Sequence, residues 1–498
     1  MHLDSEPRTR PAVFYRRQRK SRRDHAVGKI ILSPSHSFST KLYPALVGTI
    51  AGVAIALVAA CAPVNSAGPA AEQTAEAAIG PASPALMAAN ANTEIGKLIG
   101  DAPELTVAGE RLNVGLLRRF YARHGFAPVW TTREAQATSL VNAVLHAGDQ
   151  GLAPELFHAN LLQSPTALAP LDRELLLSDA FLSYADALAR GIMPIEHRRD
   201  DEVLTPEPVD VAAALDAAIG SPDPGAAIEA LAPTTPTYRL LRQALQNVHT
   251  GFLVGGKAAT AREREIEVNL ERERWLPRRL PADRVWVNVA DQRVLLYRDD
   301  QVVFSAKVIV GQVERRNQSP EFQVPLDAIL FNPPWMVPPY IAKEEILPLV
   351  RQDPGYLAKH NMVMMPDGGV QQLAGANSGL GQLMFYMDNR FDVYLHDTPS
   401  KNLFSRDDRH ISHGCIRVEN PKQLAALLMQ QPIDAINQEI ASGGTARRAL
   451  PKPVPVFVVY ETAFAEFDGS LQFRADAYGR DAEIWQYLKS KGRAIAER

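Results

Sequence analysis

The sequence has few cysteines and almost no net charge. Its 498 residues include only Cys61 and Cys415, which stand in very different contexts, so we expect no structural disulfide between them. The composition, 46% hydrophobic and 22% charged, is that of a globular protein. A chain of this length can form two or three domains that are stabilised by burial of their cores.

The formal net charge of −3 conceals an asymmetry along the chain. Residues 1–60 hold ten Lys and Arg against three acidic residues. Removing them from the totals of 53 and 56 leaves 43 basic and 53 acidic residues, a net charge of −10 for the remainder. Binding to nucleic-acid phosphates needs a basic surface, so we expect no nucleic-acid partner.

The longest apolar run also falls short of a typical membrane span. Residues 45–60 form sixteen uncharged residues, fewer than the ~20 of a spanning helix, and follow the basic segment 1–44. This order is typical of a secretory signal. Val58-Ala59-Ala60-Cys61 resembles a lipobox, which predicts lipidation at Cys61. An uncleaved anchor, cleavage at a nearby small residue and a start codon assigned too early are alternatives. All predict export to the periplasm or cell envelope, with a membrane tether formed by the Ala- and Pro-rich residues 62–93.

The periodicity of the body changes once. Residues 94–255 show helical spacing, as in Leu116, Leu117, Phe120 and Tyr121, and predict a helical scaffold. Residues 283–462 alternate like strands and predict a mainly β domain with a helical insertion at about 340–385. One of the predicted strands runs from 391 to 396. The tail, 463–498, predicts strand and then helix. The fold class is therefore α+β.

One cluster of residues indicates chemistry. His396 ends a predicted strand, and Ser412-His413-Gly414-Cys415 precedes a helix start at Asn420-Pro421. A cysteine nucleophile needs a base for its proton, which a nearby imidazole supplies. Gly414 permits close backbone approach, and the amides beside it suit an oxyanion. Arg417 offers a fixed positive charge for a substrate carboxylate.

Other interpretations of the same residues stay open. Cys415 is also compatible with an inert buried thiol, because free cysteine is among the most buried residue types. A zinc site could use His396, His410, His413 and Cys415, although their spacing fits no common zinc pattern. Taken alone, His410 is expected to be a solvated loop residue.

The set formed by His396 and Ser412-His413-Gly414-Cys415-x-Arg417 resembles the signature of L,D-transpeptidases with a YkuD-type catalytic domain. Segments such as Asn332-Pro333-Pro334-Trp335 and Asp353-Pro354-Gly355-Tyr356 are similar to the large Gram-negative, YcbB-like group. The resemblance covers roughly residues 110–490 and implies a helical scaffold domain, a mainly β catalytic domain and a helical cap. A peptidoglycan-binding domain common in that group has no counterpart in the roughly 40 residues between Tyr238 and Arg278.

The resemblance also implies roles for individual residues. Cys415 would be the nucleophile, His396 the proton acceptor and donor, and His413 and Gly414 part of the oxyanion site. Arg417, Ser412, Tyr394 and Trp335 would contact substrate, although Tyr394 and Trp335 are equally compatible with packing. Either Asp397 or Ser412 would orient His396.

The implied reaction joins peptidoglycan tetrapeptide stems by 3→3 cross-links with release of D-alanine. It needs no metal or cofactor, and the resemblance implies that carbapenems acylate the cysteine. The acceptor is a second stem, a protein amine or water. A non-catalytic wall-binding protein is the alternative from another class, but a pure binder has no need for both His396 and Cys415.

Overall fold

The computed structural model describes residues 93–164, 167–250 and 257–496, which all belong to one compact unit. The predicted basic segment, apolar run, lipobox cysteine Cys61 and all of the tether except Thr93 lie outside this part of the chain. Within it, no helix has the length and apolar character to cross a bilayer.

The N-terminal region is helical, as its periodicity predicted. Its longest helix with described ends, Pro170–Arg190, begins with a proline in its first turn, ends before Gly191 (φ 84°), and is almost entirely buried by its neighbours. The helices are α1 (Glu94–Ile99), α2 (Val114–Arg123), α3 (Glu134–Leu145), α4 (Ala159–Leu162), α5 (Pro170–Arg190), α6 (Val211–Ile219), α7 (Pro224–Glu229), α8 (Pro236–His249) and α9 (Lys257–Glu273).

A small hairpin in this region was not predicted. Strands β1 (Leu105–Val107) and β2 (Glu110–Leu112) pair antiparallel. The turn between them consists of Ala108 and Gly109, both with positive φ, as two-residue hairpin turns require.

The C-terminal half is built on a nine-stranded sheet. The strands are β3 (Arg284–Asn288), β4 (Arg293–Arg298), β5 (Gln301–Gly311), β6 (Phe322–Phe331), β10 (Leu383–Tyr386), β11 (Leu395–His396), β12 (His410–Ser412), β13 (Ile416–Val418) and β14 (Ala446–Val459). Their order in the sheet is β12-β5-β13-β11-β10-β6-β14-β3-β4. Strand β4 also pairs with β5, so the sheet closes on itself around an apolar core. The helices beside it are α13 (Pro421–Met429) and α14 (Ile433–Ala441). The α+β class is confirmed.

The predicted strand over 391–396 is largely wrong. Only Leu395 and His396 are extended in a ladder, because Asp392 adopts a left-handed backbone (φ 52°) that interrupts the strand. The helix predicted after Asn420 does begin at Pro421, but the Asn420 side chain makes no capping hydrogen bond.

The helical insertion forms a separate layer, here named the capping segment, residues 335–372. Strands β7 (Trp335–Val337), β9 (Val370–Gln372) and β8 (Met362–Met364) pair in that spatial order. Between β7 and β8 lie α10 (Pro339–Ile341), a π-helical turn (Ala342–Ile346), α11 (Leu347–Gln352) and α12 (Tyr356–Lys359). These elements share a small apolar core of their own, so the segment packs as a unit.

The tail forms a hairpin, β15 (Ala463–Ala465) and β16 (Leu471–Phe473), followed by α15 (Arg480–Ala496). It packs between the helical region and the sheet. Asn269 of α9 exchanges hydrogen bonds with Thr462, and Arg272 of α9 forms an ion pair with Asp481 of α15 at 2.6 Å. The Arg272–Asp481 pair ties the tail to the helical region, and the Tyr478 hydroxyl, which donates to the carbonyl of Gly311 in β5 at 2.6 Å, ties it to the sheet.

Candidate active site

His396 meets the loop Ser412–Cys415, here named the nucleophile loop because it holds the candidate nucleophile Cys415, through two neighbouring parallel strands. In the register of β11 and β13, Leu395 lies opposite Ile416 and His396 opposite Arg417. Leu395 and Ile416 are buried in the sheet core. Because side chains alternate along a strand, His396 and Arg417 are on the other face, and Cys415, two residues before Arg417, is on that face with them.

The loop before Cys415 is held by hydrogen bonds between the Ser412 side chain and the backbone of the loop. The hydroxyl of Ser412 donates to the carbonyl of Cys415 at 2.6 Å and accepts from the amide of Gly414 at 3.1 Å. Gly414 has φ 112°, a conformation that L side chains rarely adopt. Ser412 is 1% exposed, so its hydroxyl holds the loop and is not placed to bind substrate or to orient His396, contrary to expectation.

The imidazole of His396 is oriented by a backbone carbonyl. Its Nδ1 lies 2.5 Å from the carbonyl oxygen of Asp397, which can only accept, so Nδ1 carries the hydrogen and Nε2 is the basic nitrogen. The Asp397 carboxylate is used elsewhere. It accepts from the amides of Gln382 and Thr398 and forms an ion pair with Lys401.

The surroundings of His396 and Cys415 favour the uncharged forms of both side chains in the protein without substrate. Burial, together with the charge of Arg417, lowers the pKa of His396 to about 4, against the effect of the Asp397 and Leu380 carbonyls. Burial raises the pKa of the Cys415 thiol, and the Tyr394 amide and Arg417 oppose that only in part. Above about pH 4 the site therefore holds a neutral imidazole and, at neutral pH, a thiol whose Sγ–H donates to the carbonyl of Asp392 at 3.7 Å.

Arg417 brings an unsatisfied hydrogen-bond donor to the site. Its Nε is buried and has no hydrogen-bond partner among the described residues. Burial lowers its pKa, which the nearby Cys415 opposes. A buried guanidinium with an unused donor favours an anionic ligand such as a carboxylate.

Tyr394 and Trp335, which were both expected to contact substrate, lie in different parts of the structure. Tyr394 lies beside Cys415 and stacks on Tyr386, with ring centroids 6.1 Å apart. Trp335 belongs to the capping segment, and a Cβ on the neighbouring Gly379 would come within 3.1 Å of its ring. The structure therefore packs Trp335 between Gly379 and the apolar core of the capping segment.

The capping segment reaches the nucleophile loop through residues that the sequence did not single out. The Tyr340 hydroxyl donates to the carbonyl of His413 at 3.4 Å. The His413 imidazole lies 2.7 Å from the Glu345 carboxylate. A polar residue in an inserted helix carries no distinct sequence signal, so neither contact was foreseeable.

His410 is not part of this group. It lies on β12 with its side chain 8% exposed, contacts Asp408 and Gln292, and packs edge-on against Tyr478. The expectation of a solvated loop residue was wrong, because β12 pairs with β5 and buries it. Across the described ranges, no three His, Cys, Asp or Glu side chains converge as they would around a metal ion.

Comparison with known families agrees with this geometry. Residues 282–455 match the YkuD family, described as the L,D-transpeptidase catalytic domain. The chain carries an L,D-transpeptidase catalytic domain. Residues 115–245 match the Scaffold domain, so the enzyme has the YcbB-like architecture. Enzymes of this family act on peptidoglycan stem peptides.

The individual proteins that match this chain share low sequence identity with it. The transpeptidase is 28% identical over 399 residues to a Haemophilus influenzae protein provisionally named an L,D-transpeptidase, covering 74% of this chain and 78% of that protein. Two solved structures match 36% of this chain at 11% identity. They are the Ldtfm–avibactam carbamoyl enzyme (TM-score 0.19) and a cysteine-to-serine mutant of the Enterococcus faecium L,D-transpeptidase (TM-score 0.17). The matched region spans about half of each, 49% and 50%.

Proposed function

We propose that the enzyme forms 3→3 cross-links in peptidoglycan through a Cys415 thioester, with release of D-alanine from a tetrapeptide stem. The observation that carries this proposal is the strand register, which sets His396 opposite Arg417, two residues after Cys415, while the Asp397 carbonyl holds Nδ1 and leaves Nε2 as the basic nitrogen. A neutral base beside a thiol is the arrangement that nucleophilic catalysis by cysteine requires.

In the first half-reaction, Nε2 of His396 takes the thiol proton as Sγ of Cys415 attacks the stem carbonyl. The tetrahedral intermediate then collapses. The C–N bond to D-alanine breaks, and the leaving amine takes the proton from the His396 imidazolium. A thioester remains on Cys415, and the imidazole is neutral again.

In the second half-reaction, an amine of a second stem attacks the thioester carbonyl and loses a proton to His396. The C–S bond breaks and the thiolate is reprotonated, which regenerates both groups. We place the oxyanion of each intermediate at the amide of Cys415, with the turn formed by His413 and Gly414 shaping that site. The guanidinium of Arg417, whose Nε has no hydrogen-bond partner among the described residues, is suited to a carboxylate of the stem.

We further propose that the enzyme works outside the cytoplasm, tethered to the membrane through residues 45–60 or a lipid on Cys61. The basic lead-in, the apolar run and the lipobox-like Val58-Ala59-Ala60-Cys61 support this. Carbapenems, whose ring carbonyl presents the same kind of electrophile, are expected to acylate Cys415.

The test is incubation of the full chain with tetrapeptide-bearing muropeptides, followed by mass spectrometry of the products and of the intact protein. We expect cross-linked dimers, free D-alanine and a covalent adduct that Cys415→Ala lacks. His396→Gln should lower the rate at least a hundredfold. His146→Gln, at an exposed position in the helical region, is the matched control and should keep full activity.

Three outcomes would contradict the proposal. Tripeptide as the sole product would show that water is the acceptor and the enzyme is a carboxypeptidase. Transfer to a protein amine would show an attachment enzyme. Complete inertness of the wild type would favour the wall-binding interpretation.

A further inference from the structure

The peptide bond between Gly414 and Cys415 is fixed from the side facing the protein interior. The hydroxyl of Ser319, which is fully buried, donates to the carbonyl of Gly414 at 2.7 Å. In a trans peptide the carbonyl of one residue and the amide N–H of the next point in opposite directions. The bond from Ser319 therefore directs the Cys415 amide away from the interior, and that amide has no hydrogen-bond partner in the described ranges.

Ser319 is itself held in one orientation. Its hydroxyl oxygen accepts from the amide of Gly311 at 3.0 Å, so its hydrogen is available to Gly414. The Tyr478 hydroxyl donates to the Gly311 carbonyl at 2.6 Å and accepts from the Ser319 amide at 3.3 Å. A Cβ on Gly311 would lie 2.0 Å from the carbonyl oxygen of Asn317, so no side chain fits in this contact.

The residues that hold Ser319 come from three parts of the chain. Tyr478 lies in the tail, beyond the catalytic-domain match at 282–455, and stacks on Tyr460 with centroids 5.1 Å apart and planes 7° apart. The buried Arg480 donates to the carbonyl of Ser319 at 3.1 Å. It also forms an ion pair at 2.7 Å with Asp201, which lies within the Scaffold-domain match.

We propose that Ser319 and Tyr478 are positioning residues, which orient the Gly414–Cys415 peptide so that the Cys415 amide stabilises the oxyanion. This rests on the proposed function, because an oxyanion forms only if Cys415 attacks a carbonyl. It makes the C-terminal tail part of the catalytic apparatus. Neither residue touches the reacting atoms.

The test compares two reactions of Cys415 in the full chain. Acylation by meropenem passes through an oxyanion, whereas alkylation by iodoacetamide displaces iodide and builds none. In Ser319→Ala and in Tyr478→Phe, we expect the acylation rate to fall by roughly 10- to 100-fold, which is less than the loss of an entire oxyanion donor. The alkylation rate and its pH profile should stay within about twofold of the wild type.

Tyr238→Phe is the matched control. Tyr238 is an equally buried tyrosine whose hydroxyl donates to Gln150 in the helical region, far along the chain from Cys415. Like Tyr478→Phe, the Tyr238→Phe substitution removes one hydroxyl group. It should leave the acylation and alkylation rates unchanged, even if the melting temperature falls. If one of the two test variants does not fold, the acylation and alkylation rates of the other variant test the proposal.

The positioning role is overturned if both variants acylate at the wild-type rate, or if acylation and alkylation fall together, which would show general collapse of the loop. Failure of the proposed function looks different. The wild type would then be alkylated at Cys415 but would form no acyl-enzyme with meropenem or with a tetrapeptide stem.

Discussion

The imidazole of His413 in the nucleophile loop lies 2.7 Å from the carboxylate of Glu345 in the capping segment. The side chains are about a quarter and a half exposed, so the pair is partly screened by water. The contact nevertheless joins the capping segment to the residue two positions before Cys415.

We expect Glu345→Gln to weaken closure of the capping segment over the substrate. Exposed ion pairs contribute up to about 1 kcal/mol, so kcat/KM should fall by no more than about fivefold. The fraction of product released as tripeptide, which forms when water hydrolyses the thioester, should rise because water reaches the thioester more easily. Initial rates at several substrate concentrations give kcat/KM, and product ratios by mass spectrometry give the hydrolysed fraction.

Glu344→Gln provides the control for this change. Glu344 is the preceding residue of the same π-helical turn and forms its ion pair with Arg316. An equal rise in hydrolysis in both variants would show that the His413 contact has no specific role.

The pH dependence should separate acylation from thiol reactivity. Because the pKa of His396 is about 4, acylation should be lost as pH falls through that value and the base becomes protonated. Because the pKa of the Cys415 thiol is raised, alkylation by iodoacetamide should keep increasing through pH 9. Intact-mass kinetics from pH 4 to 10 measure both. A plateau in alkylation below pH 7 would indicate a thiolate–imidazolium pair and contradict this assignment.

His158 should make the helical region less stable at alkaline pH. It is buried between Asp179 (2.8 Å) and Glu110 (3.7 Å). Burial lowers its pKa, but the hydrogen bond to Asp179 and the negative charges of both carboxylates outweigh burial and raise the pKa to about 9. A raised pKa stabilises the folded state fully below the unfolded value of about 6.5, and this is lost as pH rises through 9. The loss is of the order of 3 kcal/mol.

Denaturant unfolding of the wild type and His158→Gln at pH 6 and pH 10 measures this effect. The difference in unfolding free energy should be large at pH 6 and should shrink at pH 10. A difference that is equal at both pH values would show that the imidazole is uncharged in the folded protein. His146→Gln, at an exposed position, is the control.

Gly381→Ala should disturb the support of His396. Gly381 has φ 61°, and a Cβ there would lie 2.5 Å from Cγ of Asp397. Asp397 must move, and with it the carbonyl that holds the imidazole. We expect a loss of about 2–3 kcal/mol in unfolding free energy and at least a tenfold loss in kcat.

Gly368→Ala isolates the backbone strain from the clash. Gly368 has φ 85° in the capping segment, and nothing lies within 4 Å of the position that a Cβ would take. The substitution should cost only about 1 kcal/mol and leave kcat unchanged. Equal effects of the two substitutions on kcat would remove the steric argument for Gly381.

The amino-acid sequence by itself determined the α+β class and the change from helical to strand periodicity near residue 283, and it singled out His396 and Cys415 as the candidate base and nucleophile. These features are local. Periodicity repeats within two to four residues, and Ser412-His413-Gly414-Cys415 places a thiol, a glycine and backbone amides within one turn.

Only the tertiary structure decided which groups support that pair. It assigned the orientation of His396 to the Asp397 carbonyl, committed Ser412 to the loop, and buried His410. It also brought the tail to the nucleophile loop. Tyr478 and Gly311 are 167 positions apart, and Ser319 and Gly414 are 95 apart. Hydrogen bonds between such distant segments depend on strand order and packing, which leave no periodic trace in the sequence.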